Sequence, residues 1–240
     1  MSSSVFKRKE IKFLLDSRQR SALETAMTGH MNADEYGEST ICSLYYDTPD
    51  RRLIRRSLEK PCYKEKLRLR SYGTARPDST VYVELKKKYD GVVYKRRVPM
   101  TEAQATAFLA GRAPLPRDCQ IGREIQWTLD YYGDLEPAMV LCYDRVAYFC
   151  PEDGNLRITL DRNIRWRDSN LTLTAPPRGE PLLAPGQSLL EIKAADAMPL
   201  WLTEALSKNR IRPASFSKYG AAYTNTQIRA AAPQGGIYCA

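Results

Sequence analysis

Residues 64–73, KEKLRLRSYG, decide how this chain is read. Lys66, Arg68 and Arg70 alternate with Leu67 and Leu69. Successive side chains of a β-strand point to opposite faces, so the cations share one face and the leucines the other. Three cations in a row repel one another unless an anion lies opposite them.

The same alternation recurs. Tyr82, Glu84 and Lys86 oppose Val83 and Leu85; Lys95 and Arg97 share a face; Arg157, Thr159 and Asp161 oppose Leu156, Ile158 and Leu160; Glu191 and Lys193 oppose Leu190 and Ile192. Arg145 sits in another β-rich run. A half-buried antiparallel sheet with its polar face in water is one reading. Enrichment in Lys and Arg, together with helices that need the apolar faces as docking sites, weighs against it and leaves a second reading open: a closed barrel with a charged lumen. Several cations in a shielded space repel by several kcal/mol per close pair at an effective dielectric of about 20, so such a lumen must hold an anion. Glu10, Glu84, Asp161 and Glu191 are the carboxylates on these faces, each readable as a salt-bridge partner or as a ligand of a hard divalent cation.

The totals agree with an anionic partner. The 240 residues carry 37 Lys plus Arg against 28 Asp plus Glu, a net charge of +9, which suits nucleic acid, a membrane surface or a phosphorylated small molecule. The apolar fraction of 43% allows a sizeable core. His30 is the only histidine, in the polar stretch GHMNADEYG that reads as a loop, so multi-histidine metal sites are excluded. Neither a G-x-x-x-x-G-K-[ST] loop nor a G-x-G-x-x-G turn is present. The six cysteines form no C-x-x-C pair, and the start MSSSVFKRKE has no apolar signal segment. Reduced, mostly buried thiols in a cytoplasmic protein are expected. No run of eighteen apolar residues spans a membrane.

Along the chain, strands are predicted over residues 6–15, 39–50, 64–73 and 78–100, the last a hairpin turning at Asp90-Gly91. Further strands cover residues 138–150, 155–167 and 188–196. Helices are predicted over 16–27, 50–60, 101–110, 121–132, 199–209 and the region after 214. Pro114, Pro116 and Pro137 mark loops, and residues 169–186 form a Pro-rich excursion. The fold class is α+β, built on a large antiparallel sheet. A single domain is expected over residues 1–228, with a loose tail over 229–240.

The ordered motifs resemble the vacuolar transporter chaperone (VTC) domain, the polyphosphate polymerase branch of the triphosphate tunnel metalloenzymes, a CYTH-like superfamily. They are Glu10, Lys12 and Phe13; S-L-Y-Y-D-T at 43–48; R-L-R at 68–70; E-L-K at 84–86; Y-K-R-R at 94–97; Arg145; R-I-T-L-D at 157–161; Glu191 with Lys193; and S-K-Y at 217–219. The resemblance covers roughly residues 5–225. It implies a tunnel-shaped closed antiparallel β-barrel with helices packed on the outside. It also implies transfer of the γ-phosphate of ATP to inorganic polyphosphate with Mn²⁺ or Mg²⁺. On this resemblance Arg68, Arg70, Lys86, Arg157 and Glu191 are the catalytic set. Lys12, Lys95, Arg97, Arg145, Lys193, Ser217 and Lys218 bind phosphate, Ser217 as a hydrogen-bond donor, and Glu191 is the metal carboxylate. The hydrolase branch begins E-x-E-x-K; Arg8 stands at its first position here, which favours the polymerase branch. A tunnel triphosphatase and a non-catalytic polyphosphate or nucleotide sensor are the alternatives, and nucleic acid ranks last as a partner. The chain has no spanning segment to export polymer itself, so export would need a membrane-associated partner protein.

Overall fold

The computed structural model describes residues 9–90, 92–195 and 197–231. The chain runs β1 (Lys9–Leu15), α1 (Ser17–Met27), β2 (Asn32–Asp47), α2 (Arg52–Leu58), β3 (Tyr63–Tyr72), β4 (Thr80–Tyr89), β5 (Val92–Thr101), α3 (Glu102–Leu109), α4 (Gln120–Tyr132), β6 (Glu136–Phe149), β7 (Arg157–Arg167), β8 (Glu180–Pro181), β9 (Ser188–Ala194), α5 (Leu200–Lys208) and α6 (Lys218–Ala231). All nine strands form one antiparallel sheet in the order β1-β9-β7-β6-β2-β3-β4-β5, with the short β8 joined to it through β7.

Local chemistry sets the helix starts. Asp16 caps α1 through Gln19 N at 2.7 Å, and Gln19 Oε1 accepts from Asp16 N in return. Thr101 and Gln104 form the same reciprocal pair at α3. Each cap satisfies backbone donors that the first turn leaves unpaired, worth about 1 kcal/mol.

Alternation along the strands then sorts the layers. Leu67 and Leu69 of β3 join Val83 and Leu85 of β4 in a core with Phe108 and Leu109 of α3 and Ile125 of α4. Phe13, Ile158, Leu160, Leu190 and Ile192 form a second core under Leu23 and Met27 of α1 and Leu202 and Leu206 of α5. These two layers cover the outer, apolar face. The charged alternates of β3, β4, β5, β7, β9 and β1 are left on the inner face.

The expected closed barrel is not formed. Among the described residues the edge strands β1 and β5 do not pair. Part of the free edge of β1 is taken by another segment: Phe13 bridges Pro213, and Ala214 N donates to Lys12 O at 2.7 Å. A strand edge satisfied by that crossing chain has no open ladder there to offer β5. The sheet is nevertheless curled: Lys12 of β1 donates to Phe216 O and Lys66 of β3 to the neighbouring Ser217 Oγ, although four strands lie between β1 and β3 in the sheet.

The helices are not all external either. α6 begins on the inner side, where Tyr219 and Ala222 pack with Tyr45, Ile54, Met139 and Leu141. The inner face is also not polar throughout. Beyond Arg70 it is filled by Ile41, Tyr143, Ile164 and Leu189, with Leu14, Leu182 and Phe216 against them.

Two loop readings need correction. GHMNADEYG leads into a strand, since β2 starts at Asn32 and passes an irregularity between Ala33 and Glu38, where Gly37 takes φ 55. His30 stacks on Trp201, with ring centroids 4.6 Å apart. Pro137 lies inside β6, paired to Tyr46 beside a register shift where a residue without an N–H costs the ladder least. Cys42, Cys62, Cys119, Cys142 and Cys150 are free thiols. Arg8, the Gly91 turn position, Cys239 and residues 232–240 lie outside the described residues.

Candidate functional site

The site is built from rungs of the sheet. In the β3–β4–β5 register Arg68 stands opposite Glu84, and Glu84 opposite Arg97; on the next rung Lys66 faces Lys86, and Lys86 faces Lys95. Glu84 is buried and central. Arg68 Nη2 lies 2.7 Å from Glu84 Oε2, Lys95 Nζ 2.9 Å from Oε1, Arg97 Nε 3.6 Å from Oε1 and Arg70 Nε 3.8 Å from Oε2. Burial opposes its charge, but Arg68, Arg70 and Lys95 outweigh that and hold the carboxyl at about 2. Arg97 also lies 3.4 Å from the ring centroid of Tyr82.

A second group gathers around Glu191 on β9. Lys218 Nζ is 3.2 Å and Lys12 Nζ 3.4 Å from Oε1; Arg145 Nη2 is 3.4 Å and Lys193 Nζ 3.9 Å from Oε2. Asp161 on β7 is fully buried and takes a bidentate grip from Arg145 at 2.6 and 2.7 Å and an ion pair from Lys218 at 2.5 Å. Burial again works against the Glu191 charge, yet Lys218, Lys12 and Arg145 hold it far below the usual carboxylate range. Lys218 is itself raised despite burial, by Asp161 and Glu191. Glu10 shares Lys12 at 3.5 Å and Lys193 at 3.9 Å with Glu191.

Tyrosines join the two groups. Arg70 Nη2 donates to Tyr143 OH at 3.2 Å, while Lys218 and Arg145 lie 4.6 and 5.2 Å from the Tyr143 ring centroid. Arg68 Nη1 donates to Tyr45 OH at 3.0 Å. Lys66 Nζ donates to Ser217 Oγ at 3.0 Å, and Gly220 N donates to the same oxygen at 3.2 Å. Burial pushes the Lys66 ammonium down to about 8; Lys86, Lys12 and Lys64 push the same way and Tyr45 opposes them.

The expected residues therefore fall into place unevenly. Arg68, Arg70, Lys95 and Arg97 surround Glu84; Lys12, Arg145, Lys193 and Lys218 surround Glu191. Lys86 stands between Lys66 and Lys95 in register and makes no ion pair among the described residues. Arg157 pairs in register with Lys193 but is exposed, and its guanidinium makes no ion pair among the described residues. Lys66 was expected on the cationic face but given no role in the site, and Tyr45 and Tyr143 were not expected there. The signal for the tyrosines was parity alone: Tyr45 shares the alternate of Ser43, and Tyr143 that of Arg145.

Among the described residues no group of three or more His, Cys, Asp and Glu side chains could hold a metal ion. The nearby donor pair is Glu191 and Glu10, bridged by Lys12 and Lys193. Two ionised carboxylates are too few for a resident divalent ion, but they fit a hard ion that arrives with phosphate oxygens completing its shell.

The fold, a large antiparallel sheet with helices, is shared with solved structures of low sequence identity. A protein of Bacillus halodurans assigned provisionally to the adenylate cyclases superposes with a TM-score of 0.54 at 13% identity, over 90% of this chain and 96% of that one. A Hippeastrum protein, provisionally an adenylyl cyclase and described as having a dominant triphosphatase activity, superposes with a TM-score of 0.52 at 17% identity, over 90% and 95%. The chain belongs to the VTC domain family, whose profile matches residues 7–226. Vacuolar transporter chaperone complex subunit 4 of Schizosaccharomyces pombe is 29% identical over 149 residues, which is 53% of this chain and 20% of that protein. The chain thus aligns with about a fifth of that relative's length. No helix among the described residues is long and apolar enough to cross a membrane.

Proposed function

We propose that this VTC-domain chain is a polyphosphate polymerase, which transfers the γ-phosphate of ATP to a growing inorganic polyphosphate chain. The observation that carries the reading is the convergence of the Glu84 and Glu191 groups on one inner face, linked through Tyr143. Basic groups there outnumber the carboxylates Glu10, Glu84, Asp161 and Glu191, so the face is incomplete without an anion.

Phosphoryl transfer asks a protein for position and charge neutralisation more than for covalent chemistry. Arg68 and Arg70 are already oriented, by Glu84 and Tyr45 and by Ser43 and Tyr143 respectively, and arginine keeps its charge on binding. They bind and align the reacting phosphates. Lys12, Arg145, Lys193 and Lys218 hold the anionic acceptor near them. The acceptor terminus is already ionised, so no strong general base is needed. Mn²⁺ or Mg²⁺, held by Glu191 with Glu10 beside it, would supply Lewis-acid neutralisation of phosphate oxygens. Lys86 and Arg157 extend the phosphate-binding face. A membrane-associated partner that receives the polymer belongs to the same reading.

Purified protein supplied with ATP and Mn²⁺ makes acid-labile polymer and ADP, sized by gel electrophoresis. Release of orthophosphate alone would assign the site to triphosphate hydrolysis, and nucleotide or polyphosphate binding without turnover would assign it to sensing.

A further inference from the structure

The outer face of the sheet carries a rung that the phosphate chemistry does not use. Cys42 of β2 stands directly opposite Cys142 of β6, and Cys142 directly opposite Arg165 of β7. Opposed residues of an antiparallel pair have Cα atoms about 4.5 to 5.5 Å apart, within the roughly 4.4 to 6.8 Å that a disulfide spans. Both thiols are buried and free, and they are hydrogen-bonded to each other. The other described cysteines stand elsewhere. Cys62 is exposed ahead of β3, Cys119 accepts from Gly122 N at 3.3 Å as the cap of α4, and Cys150 lies in the second core.

The surroundings favour a thiolate at Cys142. The hydrogen bond from Cys42 draws the Cys142 thiol below its ordinary value; burial opposes this, and Arg167 and Arg165 add to the pull. Cys42 is pushed up in turn, first by the same hydrogen bond and then by burial. One sulfur is thus set as nucleophile and the other keeps its proton. Arg167, which also hydrogen-bonds to Cys142, gathers the segment that covers this core. Its guanidinium donates to the carbonyls of Asn170, Thr172, Pro176 and Arg178, within the Pro-rich excursion. Leu173 of that excursion belongs to the same core as the two cysteines, and Leu171 packs against it. The excursion joins the sheet only through the two-residue β8, so it opens by local unfolding at lower cost than a full strand and admits a small oxidant.

We propose that Cys42 and Cys142 form a redox-modifiable dithiol, which a hydroperoxide closes reversibly to a cross-strand disulfide on the outer face of the sheet. The Cys142 thiolate attacks one peroxide oxygen; the O–O bond breaks, and the departing hydroxide takes up the Cys142 proton as water. The Cys42 sulfur then attacks the Cys142 sulfenic acid: the S–S bond forms, the S–O bond breaks, and hydroxide leaves as water with the Cys42 proton. The two thiols lose two electrons and the peroxide gains them. A dithiol reductant reverses the bond. The next residues, Ser43 and Tyr143, face the other way and hold Arg70 at 3.4 and 3.2 Å, so the bridge ties β2 to β6 directly behind that arginine. The chemistry of the pair does not depend on the phosphate reading of the inner face.

Native protein treated with a few equivalents of hydrogen peroxide, quenched with N-ethylmaleimide in denaturant and digested with trypsin tests the pair by mass spectrometry. The peptides spanning residues 21–51 and 124–145 are joined, and dithiothreitol separates them. In Cys42→Ala the link is lost and dimedone traps Cys142 as its sulfenic acid; in Cys142→Ala, Cys42 is recovered as the free thiol. The bridge closes a loop of roughly a hundred residues in the unfolded chain, so the oxidised native protein melts several degrees above the reduced form. Recovery of both thiols alkylated under conditions that oxidise exposed Cys62, or pairing of either with a different cysteine, would overturn the proposal. An oxidised protein that melts no higher than the reduced one would do the same, because the bridge would then form only from a distorted rung. The measurements on native protein decide the case even where a variant does not fold.

Discussion

Arg68 and Glu84 stand directly opposite each other on β3 and β4, and the guanidinium grips one carboxylate oxygen with two nitrogens, Nε at 2.8 Å and Nη2 at 2.7 Å. The remaining nitrogen, Nη1, is held by Tyr45 OH. The arginine is fixed from two sides before any ligand arrives. Lysine offers no planar fork, so Arg68→Lys lowers phosphoryl-transfer turnover by about a hundredfold, the scale seen when one preorganised donor is removed. A steady-state assay with a melting curve checks this, and the melting temperature moves far less than the rate.

Glu84 is the counter-ion of four cations. Glu84→Gln leaves Arg68, Arg70, Lys95 and Arg97 without their shared anion and destabilises the fold by about 3 kcal/mol. Urea titration reads the loss. Inorganic triphosphate restores part of it, because the ligand replaces the missing charge.

Acid should act through the same group. The Glu84 carboxyl is depressed to about 2 from an ordinary 4.5, so its ionised form stabilises the folded state above about pH 4.5. That contribution is lost as pH falls from there toward 2. Denaturant midpoints measured from pH 5 to pH 2 decline across that window in the native protein and more shallowly in Glu84→Gln.

Removal of divalent ions by a chelator abolishes turnover, and Mn²⁺ or Mg²⁺ restores it. Glu191→Gln raises the ion concentration needed for half-maximal turnover by about tenfold or more, with binding of metal-free triphosphate retained. Glu191→Gln activity that needs no extra ion would remove the metal role from this residue.

Asp47 is fully buried, and it accepts from Leu53 N at 2.8 Å, Ile54 N at 3.0 Å and Tyr219 OH at 2.9 Å. It ties the end of β2 to the start of α2 and to α6. Asp47→Ala strands these donors and costs about 3 kcal/mol. Thermal melting reads that loss; Tyr219→Phe, which removes a single donor, costs less.

The S-L-Y-Y-D-T segment shows how local pattern and distant packing divide the information. Its strand character and the parity that places Ser43, Tyr45 and Asp47 together are visible in the alternation. That Ser43 meets Arg70, Tyr45 meets Arg68 and Asp47 caps a helix six residues on depends on register and on α6. Arg157 is the opposite case. Its pattern matched the central arginines, yet its place near the start of β7 leaves it exposed at the end of the face.

The chain's own pattern determined the strands, most helices, the apolar faces that α1, α3, α4 and α5 cover, and the shared face of Lys66, Arg68, Arg70, Lys86 and Lys95. Period-2 alternation is a local property, fixed by neighbouring residues. Tertiary structure alone decided that residues 213–214 take part of the free edge of β1, that Tyr143 bridges the Glu84 and Glu191 groups, and that Lys66 and Lys12 reach the adjacent residues Ser217 and Phe216. Those relations join positions up to about two hundred residues apart, and only the curl of the sheet and the path into α6 bring their charges within reach.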